Sequence, residues 1–362
     1  MLALQLLFFA AFSFTTPVFA YPQPTDIFVT PSKTYERITQ EITKAKKSIR
    51  IQNFHITHHE IVDALIAKRK SDPGVKIQVM MDKGNNPKIK ERLRRGKVEV
   101  KYGSPGFTIT HSKMFVIDGK LSFISSLNLT RHVAKTRDVG LFFEDKATAD
   151  SLEKIFAIDW KNSDDKNIAS PLGISDFIVL SPTNSRAKLF KFIDQTKKTL
   201  KIQVENFVDT PMAEKLVAAH KRGVEIDVVI PRCSLTGPAV NLRISEMLHN
   251  EGINVRLMPH PSSGEVPYIH SKFMISDDKL AFVGSENFSS NSLDKAREVG
   301  IIAEMGPKTK ALKQAFDSDL SQAETYPKSL PTKCPEIRYK PKADGYELSD
   351  EELDQFFNSE VY

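Results

Sequence analysis

The chain has 362 residues, 40% hydrophobic and 27% charged, which is enough for two domains with separate cores. This composition excludes a wholly disordered, collagen-like or disulfide-scaffold protein. The net charge is +6, but the segment from Asp344 onward holds seven acids and no Lys or Arg, and residues 1–20 are uncharged, so residues 21–343 carry +13. A body this basic favours an anionic partner, such as a nucleic acid, an anionic membrane surface or a phosphorylated substrate.

The N-terminus begins with an apolar stretch, Leu2 to Phe14, followed by a proline and the small residue Ala20. This order is typical of a secretory signal peptide over residues 1–20, although no Lys or Arg precedes the apolar core. A buried N-terminal helix or a membrane anchor is the alternative. Export predicts a secreted or periplasmic protein, in which Cys233 and Cys334 could form a disulfide. No later apolar run reaches the roughly 18 residues of a spanning helix.

Two strand-like segments and a helical stretch predict a β–α–β unit early in the chain. Residues 46–52 and 73–79 have the strand patterns, and Glu60 to Lys70 has apolar residues at three- and four-residue spacing. The same order recurs at residues 197–228. Such a unit implies parallel strands joined by a right-handed crossover.

An 18-residue block is also repeated without a gap, 159 residues further along. Residues 111–128 read HSKMFVIDGKLSFISSLN, and residues 270–287 read HSKFMISDDKLAFVGSEN. Each block has two apolar runs around a turn, which predicts a β-hairpin. With a two-residue turn at Gly119-Lys120, paired residue numbers add up to 239 in the first block and 557 in the second. One face of each hairpin then carries a His, a Lys, a Ser and an Asn. These residues are His111, Lys113, Ser126 and Asn128, and His270, Lys272, Ser285 and Asn287.

Such a group of side chains suits a phosphodiester. Lys and Asn donate to phosphoryl oxygens, and His can attack phosphorus or carry a proton. No cluster of acids is available to hold Mg²⁺ or Ca²⁺, so the sequence predicts no metal and assigns the positive charge to the lysines.

Four acids have predicted supporting roles. Asp118 and Asp277 fall on the opposite strand face from the His and Lys, which indicates a structural role at the turns. Asp138 and Glu298 follow the histidines of their own copies by 27 and 28 residues. Each is expected to accept Nδ1–H from that histidine, leaving Nε2 free to react.

The repeats divide the chain into lobes of roughly residues 27–165 and 176–325, joined by a polar linker near Asn162–Ser170. The segment 326–362 has no counterpart in the first lobe. It is rich in Pro and Lys and then acidic, and it either wraps the second lobe or forms a flexible arm.

The repeated pattern of HxK, four residues, Asp, six residues and Gly-Ser-x-Asn resembles the phospholipase D superfamily. The second copy fits at every position, and the first differs only at Ser125, which replaces the glycine. The resemblance covers about 300 residues. It implies an α/β fold of two homologous α/β/α lobes with mixed sheets and one active site at the lobe interface. It also implies a two-step reaction without metal or cofactor, with His111 expected to form a phosphohistidine and His270 to act as acid and base.

The substrate remains open between several classes. Phospholipase D-type hydrolysis of phospholipid headgroups is favoured, and a metal-independent endonuclease acting on DNA or RNA is the main alternative. A phosphatidyl transferase of the cardiolipin synthase type is disfavoured, because those enzymes typically carry membrane helices and continue Asn-Leu-Asp-x-Arg-Ser. This chain reads Asn128-Leu129-Thr130-Arg131 and Asn287-Phe288-Ser289-Ser290. A non-catalytic protein that binds anionic ligands is the last alternative. A monomer is expected, because both motifs lie in one chain.

Overall fold

The structure is a computed structural model that describes residues 21–326, apart from 33, 85–86, 131–134, 167–168, 234–239 and 260–265. The predicted signal peptide at 1–20 lies outside the described residues, as does the tail beyond Tyr326. Cys233 is buried and is not a free thiol. Its pairing with Cys334, which also lies outside the described residues, stays a prediction.

The first lobe alternates strands and helices along the chain. Its elements are β1 (Asp26–Val29), α1 (Thr34–Lys44), β2 (Ser48–Asn53), α2 (His59–Ser71), β3 (Lys76–Met81), α3 (Pro87–Arg95), β4 (Glu99–Tyr102), β5 (Lys113–Ile117), β6 (Leu121–Ser125), β7 (Thr136–Arg137), β8 (Val139–Phe143) and α4 (Lys146–Lys161). Seven of these strands form one mixed sheet in the order β1-β8-β6-β5-β2-β3-β4.

The second lobe repeats this plan with small differences at its edges. Its elements are β9 (Ile178–Leu180), α5 (Ser185–Gln195), β10 (Thr199–Val204), α6 (Thr210–Lys221), β11 (Glu225–Pro231), α7 (Leu242–Asn250), β12 (Asn254–Met258), β13 (Tyr268–Ile269), β14 (Lys272–Ser276), β15 (Leu280–Gly284), α8 (Ser290–Asp294), β16 (Val299–Glu304), α9 (Lys310–Gln322) and β17 (Glu324–Thr325). The sheet order is β17-β12-β11-β10-β14-β15-β16-β9. Within the described ranges, no helix is long and apolar enough to cross a membrane.

Both predicted β–α–β units are confirmed. β2 and β3 run parallel, with Ile49 beside Ile77, and α2 connects them. β10 and β11 pair in the same way, with Leu200 beside Ile226 and α6 between them in sequence. The antiparallel strands β5 and β14 then add to the other edges of β2 and β10. The predicted fold class, two α/β lobes with mixed sheets, is therefore confirmed.

Alternate residues of the central strands face different cores, as the two-residue period of a strand requires. In β5, Phe115 and Ile117 pack with α1, α2 and α3, whereas Met114 and Val116 pack in a second core that includes α4. Burying a side chain such as Phe115 stabilises the fold by about 1.5–3 kcal/mol. The second core continues into the other lobe, where it includes Phe273. The two lobes therefore share an apolar interior.

The predicted hairpin register is wrong by one residue in both repeats. Phe115 pairs with Phe123 and Phe273 pairs with Val283, so paired numbers add up to 238 and 556. Each turn contains three residues instead of two, because the chain leaves β5 at Asp118 with a φ of 57°. An Asp adopts this left-handed conformation more readily than most residues.

Short backbone pairings join the lobes at the centre of the molecule. β7 of the first lobe runs parallel to β13 of the second, with Thr136 beside Tyr268. A single bridge pairs Thr110 with Arg297. In each lobe, the segment before the HxK pair thus lies against a segment of the other lobe. That segment contains Arg297-Glu298 in the second lobe and Arg137-Asp138 in the first.

Candidate active site

Both HxK pairs lie where a central strand begins. Because β5 is antiparallel to β2, Lys113 pairs with Asn53 at the C-terminal end of β2. Lys272 pairs in the same way with the last residue of β10. His111 is 4% exposed, His270 3%, and both lysines 0%. The structure therefore buries all four side chains near the meeting of the lobes.

Each histidine is hydrogen-bonded to a carboxylate of the opposite lobe. His111 Nδ1 lies 2.8 Å from Glu298 Oε2, and His270 Nδ1 lies 2.7 Å from Asp138 Oδ1. The sequence predicts the right carboxylates, but the expected pairing within each copy is wrong. In both crossed pairs, Nε2 is left as the reactive atom.

The crossing follows from the backbone pairing between the lobes. The N–H of His111 donates to the carbonyl of Arg297 over 2.9 Å, and the N–H of His270 donates to the carbonyl of Arg137 over 3.1 Å. The acids Asp138 and Glu298 directly follow those arginines in the sequence. Each carboxylate is thereby placed beside the other lobe's histidine, and one composite site results.

The same two arginines form a second crossed set, which the sequence reasoning missed. Arg297, with no exposed surface, contacts Asp159 of the first lobe at 2.8 Å. Arg137 contacts Asp319 of the second lobe at 2.7 Å. Breaking a buried ion pair is costly, so these contacts hold the lobes in the arrangement that the histidines require. The sequence does hold a signal for these contacts, because Asp159 and Asp319 occupy matching positions in the helices that close the two repeats.

Hydroxyl groups fix the carboxylate of Asp138. Ser126 and Thr136 donate to it over 2.7 and 2.6 Å. Burial raises the pKa of Asp138, but His270, Lys272 and the hydroxyl of Thr136 outweigh burial, and the pKa lies below its ordinary value. Asp138 is therefore ionised beside His270.

Glu298 is held in a corresponding way. Ser292 donates to it over 2.7 Å. The predicted supporting residue Ser285 accepts from the backbone N–H of Val299 over 3.1 Å, next to this carboxylate in sequence. Burial raises the pKa of Glu298, but His111 and the hydrogen bonds lower it below its ordinary value. Both histidines thus face an ionised acid.

The two histidines nevertheless differ in the direction of their pKa. Burial lowers the pKa of His111, and Glu298 does not fully offset this effect. At His270 burial also lowers the pKa, but Asp138 and Glu205 raise it to about 9. At neutral pH, His111 is therefore neutral and His270 is protonated.

The lysines differ in their partners as well. Each donates to the carbonyl of the histidine two residues earlier, over 2.7 Å for Lys113 and 2.6 Å for Lys272. The Lys113 ammonium also lies 5.2 Å from the ring centre of Phe54, whereas Lys272 donates to Glu205 Oε2 over 2.9 Å. Glu205 is absent from the residues predicted from the sequence. Residues 46–52 match residues 197–203 without a gap, and extending this match by two residues aligns Glu205 with Phe54. That comparison would have identified Glu205 from the sequence.

The remaining predicted residues divide into two groups. Asn128 is buried, and Asn287 accepts a hydrogen bond from the backbone N–H of Asn206 over 3.2 Å. Asp118 and Asp277 follow the far ends of β5 and β14, away from the HxK pairs. Their carboxylates accept backbone N–H groups at the start of β2 and β10, at 2.6 and 2.7 Å for the shortest bonds. These two acids brace the turns and do not join the histidines.

The assembled groups combine a neutral imidazole, a protonated imidazole and two ammonium groups. This combination supports nucleophilic attack on a phosphodiester with protonation of the leaving oxygen. Among the residues that the structure describes, no group of three or more His, Cys, Asp or Glu side chains is arranged to hold a metal ion.

Comparisons with known proteins add to this geometry. A family model described as "Cardiolipin synthase, PLD-like domain" matches residues 38–160 and 189–320. A cardiolipin synthase of Clostridium perfringens (strain 13) is 24% identical over 340 residues, covering 82% of this chain and 70% of that protein.

Two solved structures share the fold. The phosphatidylserine synthase of Haemophilus influenzae Rd KW20 has a TM-score of 0.64 at 14% identity, covering 84% of this chain and 88% of that one. A polyphosphate kinase from Porphyromonas gingivalis also has a TM-score of 0.64, at 18% identity, covering 82% of this chain and 47% of that one. At these identities the likeness concerns the fold alone.

Proposed function

Because the chain belongs to the family described as cardiolipin synthase, PLD-like domain, we propose that it transfers a phosphatidyl group from a phospholipid to an alcohol. The resemblance to the phospholipase D superfamily seen in the sequence is confirmed by the same match. The observation that carries the proposal is the pair of buried histidines, each bonded to a carboxylate of the other lobe and opposite in protonation.

The reaction proceeds in two steps that share one site. In the first, Nε2 of neutral His111 attacks phosphorus, and the N–P bond forms as the bond to the leaving alcohol oxygen breaks. His270 gives its Nε2 proton to that oxygen. In the second, the acceptor alcohol gives its proton to His270 while its oxygen attacks phosphorus and releases His111. Glu298 and Asp138 hold the two rings in orientation throughout.

Positive charge for the reaction comes from side chains. Negative charge on the non-bridging oxygens must be neutralised as the transition state forms. Lys113 and Lys272 supply two ammonium groups from opposite lobes, and the amides of Asn128 and Asn287 add hydrogen bonds. The proposed reaction therefore needs no metal ion.

The acceptor distinguishes transfer from hydrolysis, since the same phosphohistidine reacts with an alcohol or with water. The sequence alone favours hydrolysis, but the family match and the cardiolipin synthases among the relatives support an alcohol acceptor more than water. The burial of both histidines agrees, because exclusion of bulk water favours an alcohol bound in the site. Hydrolysis of phospholipid is the second candidate. It is favoured by Thr130 and Ser289, which replace the aspartate of the transferase continuation.

The proposed setting is an anionic membrane surface outside the cytoplasm. Helix α3 exposes Lys88, Arg94 and Arg95 and buries Ile89 and Leu93. Each basic side chain near an anionic membrane gains about 1 kcal/mol. The predicted signal peptide and the basic body support the same setting. A single chain supplies both halves of the site, so we propose that the protein acts as a monomer.

Phosphatidylglycerol vesicles provide the test. The chain is incubated with them in ¹⁸O-labelled water containing EDTA, and the lipids are analysed by mass spectrometry. Transfer yields cardiolipin and glycerol in equal amounts, whereas hydrolysis yields phosphatidic acid that carries ¹⁸O. The His111→Asn variant should form neither product. Nicking of plasmid DNA under the same conditions, without any lipid product, would overturn the proposal.

A further inference from the structure

Two of the positions at which the repeats differ lie close to the histidines in sequence or in space. Where the first lobe has Phe54 and Ile109, the second has Glu205 and Tyr268 at the matching positions of the repeat. Glu205 and Tyr268 are each 1% exposed. Burying a carboxylate is costly unless it is paired and hydrogen-bonded. The second lobe therefore maintains a charged group that the first lobe replaces with an apolar one.

Both oxygens of Glu205 are engaged. The hydroxyl of Tyr268 donates to Oε1 over 2.9 Å, and the ammonium of Lys272 donates to Oε2 over 2.9 Å. Oε2 also lies 3.8 Å from Nε2 of His270. That distance is too long for a hydrogen bond, but it allows strong Coulombic attraction in a buried site. Glu205 is thus placed to act on His270 through its charge.

The matching place in the first lobe carries no charge. The ring centres of Phe54 and His111 are 4.6 Å apart. A phenyl ring does not hold a proton on an imidazole as a carboxylate does. At this pair of matching positions, Phe54 and Glu205, the surroundings of the two histidines therefore differ by one negative charge.

We infer that Glu205 is the positioning residue that makes His270 the acid of the first step, because it keeps the proton on His270 until the leaving oxygen takes it. The inference rests on the phosphohistidine chemistry proposed above and names the residue that breaks the symmetry of the two halves. His270 enters the cycle as the acid, and His111, beside Phe54, enters it as the nucleophile. Glu205 touches no reacting atom.

The groups that face His270 determine how it titrates. Burial lowers its pKa, Asp138 and Glu205 raise it, Lys272 lowers it, and the balance lies at about 9. His270 therefore stays protonated through the neutral range and loses its proton as the pH rises through about 9. Without the charge of Glu205, this loss should occur at lower pH.

The Glu205→Gln variant tests the inference, because it keeps the shape and the hydrogen-bonding positions but removes the charge. kcat/KM is measured against pH with phosphatidylglycerol and with phosphatidyl-p-nitrophenol, whose leaving group departs without a proton. With phosphatidylglycerol, the basic limb of the profile should move down by about one pH unit. At pH 9 this is a loss of about fivefold, which approaches tenfold at higher pH. The loss with the p-nitrophenyl ester should be smaller.

The matched control is Asp277→Asn, which removes a carboxylate at the turn after β14, away from His270. Its basic limb should stay at the wild-type pH. For Glu205→Gln, an unmoved limb or equal losses on both esters would overturn the inference.

The Glu205→Asp variant keeps the charge and should keep the limb near its wild-type pH. If the basic limb of the kcat/KM profile of Glu205→Asp moved below pH 8, the inference would also be overturned, whether or not Glu205→Gln folds. Because p-nitrophenol release reports cleavage with any acceptor, release without cardiolipin formation would count against the proposed transfer and not against the role of Glu205.

Discussion

The substitution Asp138→Asn should change the titration of His270, in the second lobe, and leave that of His111 unchanged. Asp138 is the strongest influence that raises the pKa of His270 against burial, and the two side chains are 2.7 Å apart. The shift from 6.5 to about 9 corresponds to about 3 kcal/mol. An amide oxygen can still accept the Nδ1–H, so the orientation survives while the charge is lost. We expect the pKa of His270 to fall by about 1–2 units.

The assay is ¹⁵N-detected titration of the histidine side chains, with His111→Asn and His270→Asn used to assign the signals. In Asp138→Asn, the signal of His270 should titrate at lower pH. The matched control Glu298→Gln should affect His111 instead. An Asp138→Asn spectrum in which His111 shifts and His270 does not would refute the crossed pairing.

The same shift links the free energy of unfolding to pH. The folded pKa of His270 lies above the ordinary value of 6.5, so its contribution to stability is fully present below about pH 6.5. That contribution is lost as the pH rises through about 9. Urea denaturation at several pH values should therefore show a shallower decline across this window for Asp138→Asn than for the wild type. Equal declines in the two proteins would contradict the raised pKa.

Three further outcomes are expected. Asp159→Asn leaves Arg297 buried without its carboxylate, and urea denaturation should show a loss of about 3 kcal/mol. The control Asp63→Asn removes an acid that is 57% exposed and paired with Arg92, and its free energy of unfolding should fall by less than about 1 kcal/mol. Equal losses in Asp159→Asn and Asp63→Asn would contradict the structural role of the buried pair. Lys272→Met should destabilise the protein, because it leaves the buried Glu205 carboxylate without its ammonium partner. Adding Glu205→Gln should restore part of that stability without restoring activity. A double variant no more stable than Lys272→Met would exclude the pairing of these two residues. EDTA should leave the rate of lipid turnover nearly unchanged because lysines supply the charge, whereas a collapse that Mg²⁺ reverses would contradict this chemistry.

The fold was predictable because its information is local and repeated. A strand, a helix and a second strand recur with the same apolar spacing, and each copy contains a hairpin that begins with HxK. The register was not predictable from those features. It depends on the left-handed conformation of Asp118, which lengthens the turn to three residues and moves every pair by one position.

The repeated histidines and lysines and the acids Asp138 and Glu298 were predictable as members of the site, but the connections between them were not. The spacing from His111 to Asp138 is the same whether the carboxylate of Asp138 bonds to His111 of the same repeat or to His270 of the other repeat. Backbone pairing at Arg137 and Arg297 decides between these arrangements, and only the packed lobes contain it. Glu205 was visible as an acid at the end of an apolar strand. Its importance depends on burial and on a distance to His270 that the sequence does not encode.

Trapping the covalent intermediate tests the division of roles between the two histidines most directly. Phosphatidyl-p-nitrophenol is added to the wild type and to His270→Asn, in which the nucleophile remains but the base for the second step is missing. After rapid denaturation at neutral pH and protease digestion, mass spectrometry should place the phosphatidyl adduct on the peptide that contains His111, with more adduct in His270→Asn. An adduct on the peptide that contains His270, or turnover without any adduct, would contradict the proposed mechanism.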